Sequence, residues 1–126
     1  MTASVLEQGD AGVSVSVPRQ RGPAGIIRRR TVSGTSYTLT IENQSELLVF
    51  TSSSAVTVTY PAGLGAEFEC LMLQYGTGRV VVNAGAGATR RAATSATGTA
   101  YQYATASVIA LPATDEFLLT GEVSAT

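Results

Sequence analysis

From Tyr37 to Val123 the chain is a succession of short Val, Leu, Ile, Thr and Tyr runs separated by Gly, Ser, Ala and Thr breaks, with no helical spacing of apolar residues. In Tyr37-Thr38-Leu39-Thr40-Ile41 the odd positions are apolar and the even positions are Thr. Val56-Thr57-Val58-Thr59-Tyr60 repeats that alternation until Pro61 stops it. A period of two places successive side chains on opposite faces of a strand, so each run predicts a half-buried β-strand. Residues 47–50 read as a short apolar strand between the breaks at 42–45 and 52–54. The run 68–74 is apolar on both faces from Cys70 to Leu73, as in a central strand covered on both sides. Gly76-Thr77-Gly78 then reads as a tight turn into a strand over 79–83, which together predict a hairpin.

Residues 84–100 are Ala, Gly, Thr and Ser with Arg90-Arg91 in the middle, which fits either a loop or a poorly patterned edge strand. Two final strands, over 101–111 and 116–122, flank a turn at Pro112-Ala113-Thr114-Asp115. Seven or eight short strands predict an all-β fold, an antiparallel β-sandwich or jelly-roll-like barrel, over residues 36–126. With no Trp, three Phe and five Tyr, its core is expected to be thin and aliphatic. Charged residues make up 13% of the chain, about half the usual globular share. So little charge on a Ser/Thr/Ala-rich surface predicts that much of it faces other protein subunits.

Residues 1–35 read differently, as an extended N-terminal arm that tethers the module. Val13-Ser14-Val15-Ser16-Val17 alternates and is ended by Pro18, and Gly22-Pro23-Ala24-Gly25 reads as a linker, because one collagen-type triplet does not nucleate a triple helix. The net charge of −1 conceals an asymmetry: residues 1–30 carry five arginines against Glu7 and Asp10, whereas residues 31–126 carry three against seven acids. Lysine is absent, and arginine keeps bidentate, weakly hydrated contacts when buried at an interface. The expected partner-binding residues are therefore Arg19, Arg21, Ile26, Ile27, Arg28, Arg29 and Arg30, with the two isoleucines filling an apolar groove and the arginines pairing carboxylates.

The same residues argue against an enzyme. The chain has no His, and its one cysteine, Cys70, lies in an apolar run where a buried thiol is expected. Glu67 and Glu69, two apart on an expected strand, and the adjacent Asp115-Glu116 are the only carboxylate pairs, and they read as solvated charges. No catalytic, cofactor-binding or metal-ligating set is expected, since no His/Cys cluster, Ca²⁺ loop or phosphate-binding glycine motif occurs. Asn43-Gln44-Ser45, a chance glycosylation sequon, reads as a turn. The arm lacks aromatic residues for base stacking, so no specific nucleic-acid binding is expected. No signal-peptide pattern or apolar stretch of membrane-spanning length is read from the sequence, and no membrane role is expected.

Three segments together resemble a β module recurring in structural proteins of tailed-bacteriophage virions: the opening SYTLT…LLVFTSSSAVTVTYP, the LQYGTGRVVV stretch, and the closing YQYATASVIALPATDEFLLTGEVS. The closing strand of such modules tends to read aromatic–Leu–Leu–x–Gly–acid, here Phe117-Leu118-Leu119-Thr120-Gly121-Glu122. The resemblance covers about two-thirds of the chain and not the arm. It implies a virion structural protein, commonly a homotrimer, built in the host cytoplasm and contacting major capsid, neck or tail proteins. It brings no catalytic residues. Standing almost alone here, without a fibre shaft, the module suggests a capsid decoration (cement) protein before a head, neck or tail fibre or spike component. A receptor- or glycan-binding role, with Tyr101 and Tyr103 on one strand face, is the alternative.

Overall fold

A computed structural model describes residues 27–126. The chain passes back and forth between two facing sheets. One holds β1 (Arg28–Val32), β3 (Glu46–Phe50), β5 (Glu69–Gln74), β7 (Thr89–Arg91), β9 (Thr105–Ala110) and β10 (Glu116–Gly121), in the order β1-β3-β5-β9-β10-β7. The other holds β2 (Ser36–Thr38), β4 (Val56–Tyr60), β6 (Val80–Ala84), β8 (Gly98–Thr99) and β11 (Val123–Ser124), in the order β11-β8-β6-β4-β2. The described residues form no α-helix, only 3-10 turns at Ile41–Asn43 and Ala93–Ser95. The fold is all-β, as expected.

Its strand pairing is not purely antiparallel. β1, β3 and β5 pair in parallel, as do β2, β4 and β6. Register partners lie 18 residues apart at Arg28 and Glu46, 21 at Ser36 and Thr57, and 24 at both Leu47 and Leu71 and Val56 and Val80. Parallel neighbours need a crossover. Here the crossover is a strand of the opposite sheet, so the first three pairs of strands form a solenoid-like coil. Antiparallel pairing enters only afterwards, where β9 and β10 extend one sheet from β5, and β8 and β11 extend the other from β6. The hairpin over residues 105–121 matches the reading of the final two strands. The weak stretch 84–100 contains an edge strand, β7, paired in parallel with β10.

The expected hairpin at Gly76-Thr77-Gly78 is instead a corner that carries the chain from β5 in one sheet to β6 in the other. Neither glycine has a positive φ. They are needed because this corner lies on the corner of the preceding coil. A Cβ on Gly76 would stand 2.3 Å from the Ser52 carbonyl oxygen, and one on Gly78 would fall still closer to that of Ser54. The Gly76 N–H donates to Phe50 O and the Gly78 N–H to Ser52 O, both at 3.0 Å.

Alternation decides the core. Val56, Val58 and Tyr60 point inward while Thr57 and Thr59 face out. Tyr60 stacks on Phe117 with ring centroids 4.2 Å apart and meets Phe68 edge-on at 5.7 Å. Leu48, Phe50, Met72, Val80, Val82, Val108 and Leu119 complete one core shared by both sheets. Cys70 is buried within it, and burial pushes its thiol pKa up to about 12. Two sequence readings change. Residue 41 does not continue a strand: Ile41 opens a 3-10 turn and is exposed. β5 is central in its sheet but is covered on one face only, with Cys70, Met72 and Gln74 inward and Leu71 and Leu73 half-buried outward.

Candidate functional site

Of the expected partner-binding residues, Arg19, Arg21 and Ile26 lie outside the described residues, as does the run 13–17. The sheet begins inside the segment expected to be an arm, because residues 28–32 are β1. The register Arg28↔Glu46 and Arg30↔Leu48 places Arg28, Arg30 and Val32 on the inward face, and Arg29 and Thr31 on the outer one. Arg30 binds Glu46 through two bonds, Nε to Oε1 at 2.9 Å and Nη2 to Oε2 at 3.1 Å, and Arg28 Nη2 lies 3.6 Å from Oε2. Glu46 is only 3% exposed. Asn43 Nδ2 donates to its Oε1 at 3.0 Å, and Asn43 also bonds Tyr37 and the Thr40 backbone. The Arg30 hydrogen bonds hold the Glu46 carboxyl below its ordinary pKa, against the opposing effect of burial.

Two of the three consecutive arginines are thus turned toward a carboxylate of their own chain. They close the open end of the coil with charge, one of the ways sheet edges are kept from pairing further. Arg29 has no ion pair among the described residues and stands on the outer face beside Leu47, and Ile27, 51% exposed, precedes it. Glu46 and Asn43 were not singled out in the sequence. Nothing local marks them, since their partners lie up to 18 residues away across a parallel ladder.

The outward faces of the two sheets differ. On the five-stranded sheet Ser36, Thr38, Thr57, Thr59, Val81 and Asn83 face out, all but one polar. On the six-stranded sheet Leu47 lies beside Leu71, Val49 beside Leu73, and Ile109 beside Leu118. Val49 is 9% exposed yet lies outside the core cluster, so its neighbours on this outer face are what cover it. Arg29, Glu69, Arg91, Thr105 and Thr120 surround the stripe.

A second cluster sits where β5 ends and β9 begins. Tyr101 and Tyr103 are not on a strand face but in the turn before β9, 57% and 62% exposed. The Tyr103 ring meets exposed Tyr75 edge-on at 6.0 Å, and Tyr103 itself is held at φ +68° by bonds from its N–H to Gln74 O and from Gln102 Nε2 to Tyr75 O. Glu122 borders the cluster. Its Oε2 accepts the Tyr101 hydroxyl at 3.0 Å and its Oε1 the Thr105 N–H at 2.9 Å, and these neutral donors hold its pKa low. The other carboxylates considered for chemistry are placed apart. Glu67 and Glu69 are exposed, Asp115 accepts the Gly63 N–H at 2.8 Å, and Glu116 pairs with Arg91 at 2.6 Å. Among the described residues no His/Cys/Asp/Glu group of three or more could hold a metal ion, and no helix is long and apolar enough to cross a membrane.

Compared with known proteins, the chain matches no family model, and neither a curated protein nor a solved structure is found similar to it.

Proposed function

We propose that this chain is a non-enzymatic structural protein of a bacteriophage particle, a trimeric capsid decoration protein tethered by its N-terminal arm. The observation that carries this reading is the contrast between the two outward faces. A Leu/Val/Ile stripe on one sheet, rimmed by charge, beside a Thr/Ser/Asn face on the other suits a protein that buries one side against another protein. Six strands about 4.8 Å apart and roughly 17 Å long give a face of about 400 Å², half of the ~800 Å² each partner buries in a standard complex. Such a face binds weakly alone. A linked second contact raises its occupancy through effective concentration, and the basic arm joins the chain at the edge of that same sheet. Binding only to the assembled shell would then stabilise the shell. The resemblance of the closing strands to virion modules supports the same setting.

The test is removal of residues 1–26, which spares β1. The remaining chain is expected to stay folded and to lose particle binding, and full occupancy of particles by the truncated protein would refute the tether. Electron microscopy of particles carrying the protein would place it on capsid axes, as expected, or at the neck or tail. A fibre or spike component with a receptor- or glycan-binding role is the second reading, favoured by the exposure of Tyr101 and Tyr103. Retention of a saccharide on a glycan array would support it.

A further inference from the structure

We infer that the cluster Tyr75, Tyr101, Tyr103 and Glu122 is a receptor site for arginine side chains, and that its occupant is the segment bearing Arg19 and Arg21 of a second copy of this chain. The inference rests on the reading of the protein as one that assembles through its arm. Three observations carry it.

The first is the chemistry of the cluster. Three tyrosine rings stand more than half exposed, and such rings attract a guanidinium to their faces. Beside them Glu122 is fixed by the Tyr101 hydroxyl and the Thr105 backbone, and no cation among the described residues pairs with it. Glu46 and Glu116, by contrast, each hold an arginine. A preorganised carboxylate next to aromatic faces suits a cation with a flat, weakly hydrated head, which is arginine rather than lysine.

The second is strain. Tyr103 adopts φ +68°, a conformation that a bulky side chain rarely takes. The bonds to Gln74 and Tyr75 impose it and turn the ring outward instead of into the core. Strain of this kind collects at binding sites.

The third is the supply of cations. Residues 1–26 carry Arg19 and Arg21 and no lysine, and they join the sheet at the Arg28 end of β1. The cluster lies beyond the opposite strand ends, where Val32 is level with Phe50 and Gln74. Six residues separate Arg21 from Ile27, about 20 Å when fully extended. Reaching its own cluster diagonally across the sheet would use nearly all of that length. A second copy is the occupant we assign, and the contact so made is head-to-tail, the kind that closes into a ring.

The test is sedimentation velocity of the full chain at low salt, without particles, using two variants. Arg19→Ala/Arg21→Ala removes the cations. Glu122→Gln/Tyr103→Gly removes the charge and one ring, yet it keeps a hydrogen-bond acceptor and relieves the positive φ, and its unfolding temperature is expected to be no lower than that of the native chain. The native protein should associate, each variant alone about fivefold or more weakly. An equimolar mixture should form a one-to-one species that neither variant forms, because one supplies the arm and the other the receptor cluster. A native chain that stays monomeric, variants that associate like it, or a mixture without the new species would each overturn the inference. So would a saccharide whose binding Glu122→Gln/Tyr103→Gly abolishes. Placement on the particle is read separately by microscopy, so a virion role can stand while this contact fails.

Discussion

Replacing Gly78 by alanine tests whether the corner glycines serve a turn or a stack. The added methyl group would meet the carbonyl oxygen of Ser54 far inside contact distance and its carbonyl carbon at 2.5 Å. Both are backbone atoms, so no side chain can swing away. Relief requires the two corners to separate by about 1 Å, which weakens the Gly78 N–H bond to Ser52 O. Overpacking costs about 1–3 kcal/mol and a lost backbone bond about 1 kcal/mol, so a loss of about 2–4 kcal/mol is expected. For a domain near 100 residues that lowers the melting temperature by roughly 10–25 °C. Urea unfolding followed by circular dichroism measures it. Gly63 is the internal control, since it has φ +93° and open space around its Cβ position. There asparagine should be tolerated better than alanine, because it accepts the left-handed region. At Gly78 asparagine should be worse than alanine, because it is larger. A Gly78→Ala protein within about 0.5 kcal/mol of the native one, or an asparagine preferred there, would refute the stacking argument.

Other outcomes follow from the same geometry. Glu46 has a pKa below the ordinary carboxyl value, so its pairing with Arg30 contributes stability that is present above the unfolded pKa and lost as pH falls through the folded one. Acid titration of the melting temperature should show that loss, Glu46→Gln should flatten it, and Arg30→Ala should shift it toward neutral pH. Arg79 binds Thr99 O, Thr97 Oγ1 and Ser124 O, so Arg79→Ala should release β11 and cost about 2 kcal/mol, with hydrogen exchange rising first at Val123 and Ser124. Cys70, with its thiol pushed to about 12 inside the core, should react with a thiol reagent at pH 8 only at the rate of unfolding. Fast labelling of the native chain would contradict that burial.

Strand identity was legible where alternation is strict. Residues 56–60 appear as β4 with the expected faces, and the closing hairpin around Pro112 pairs as read. The errors share a cause. Gly76-Thr77-Gly78 has the composition of a hairpin turn, but composition does not distinguish glycine chosen for positive φ from glycine chosen for close approach. The arginines at 28–30 were read as a tether because their charge is visible in sequence, whereas the carboxylate that takes two of them is visible only across the ladder. The tyrosines were expected on a strand face, and bonds to Gln74 and Tyr75 hold them in a turn instead.

By itself the sequence determined that the chain is all-β, because the alternation of apolar and Thr positions is a property of each strand alone. It determined the inward residues of those strands and the concentration of arginine at the N-terminal end for the same local reason. Only the tertiary structure decided that neighbouring strands run parallel, that one outward face is apolar and the other polar, and that Glu46 answers Arg30. Each of these depends on which strands lie side by side at separations of 18 to 24 residues. Period-two patterning tells every strand which face is apolar and leaves its neighbour unspecified, so that choice rests with the packing of the whole coil.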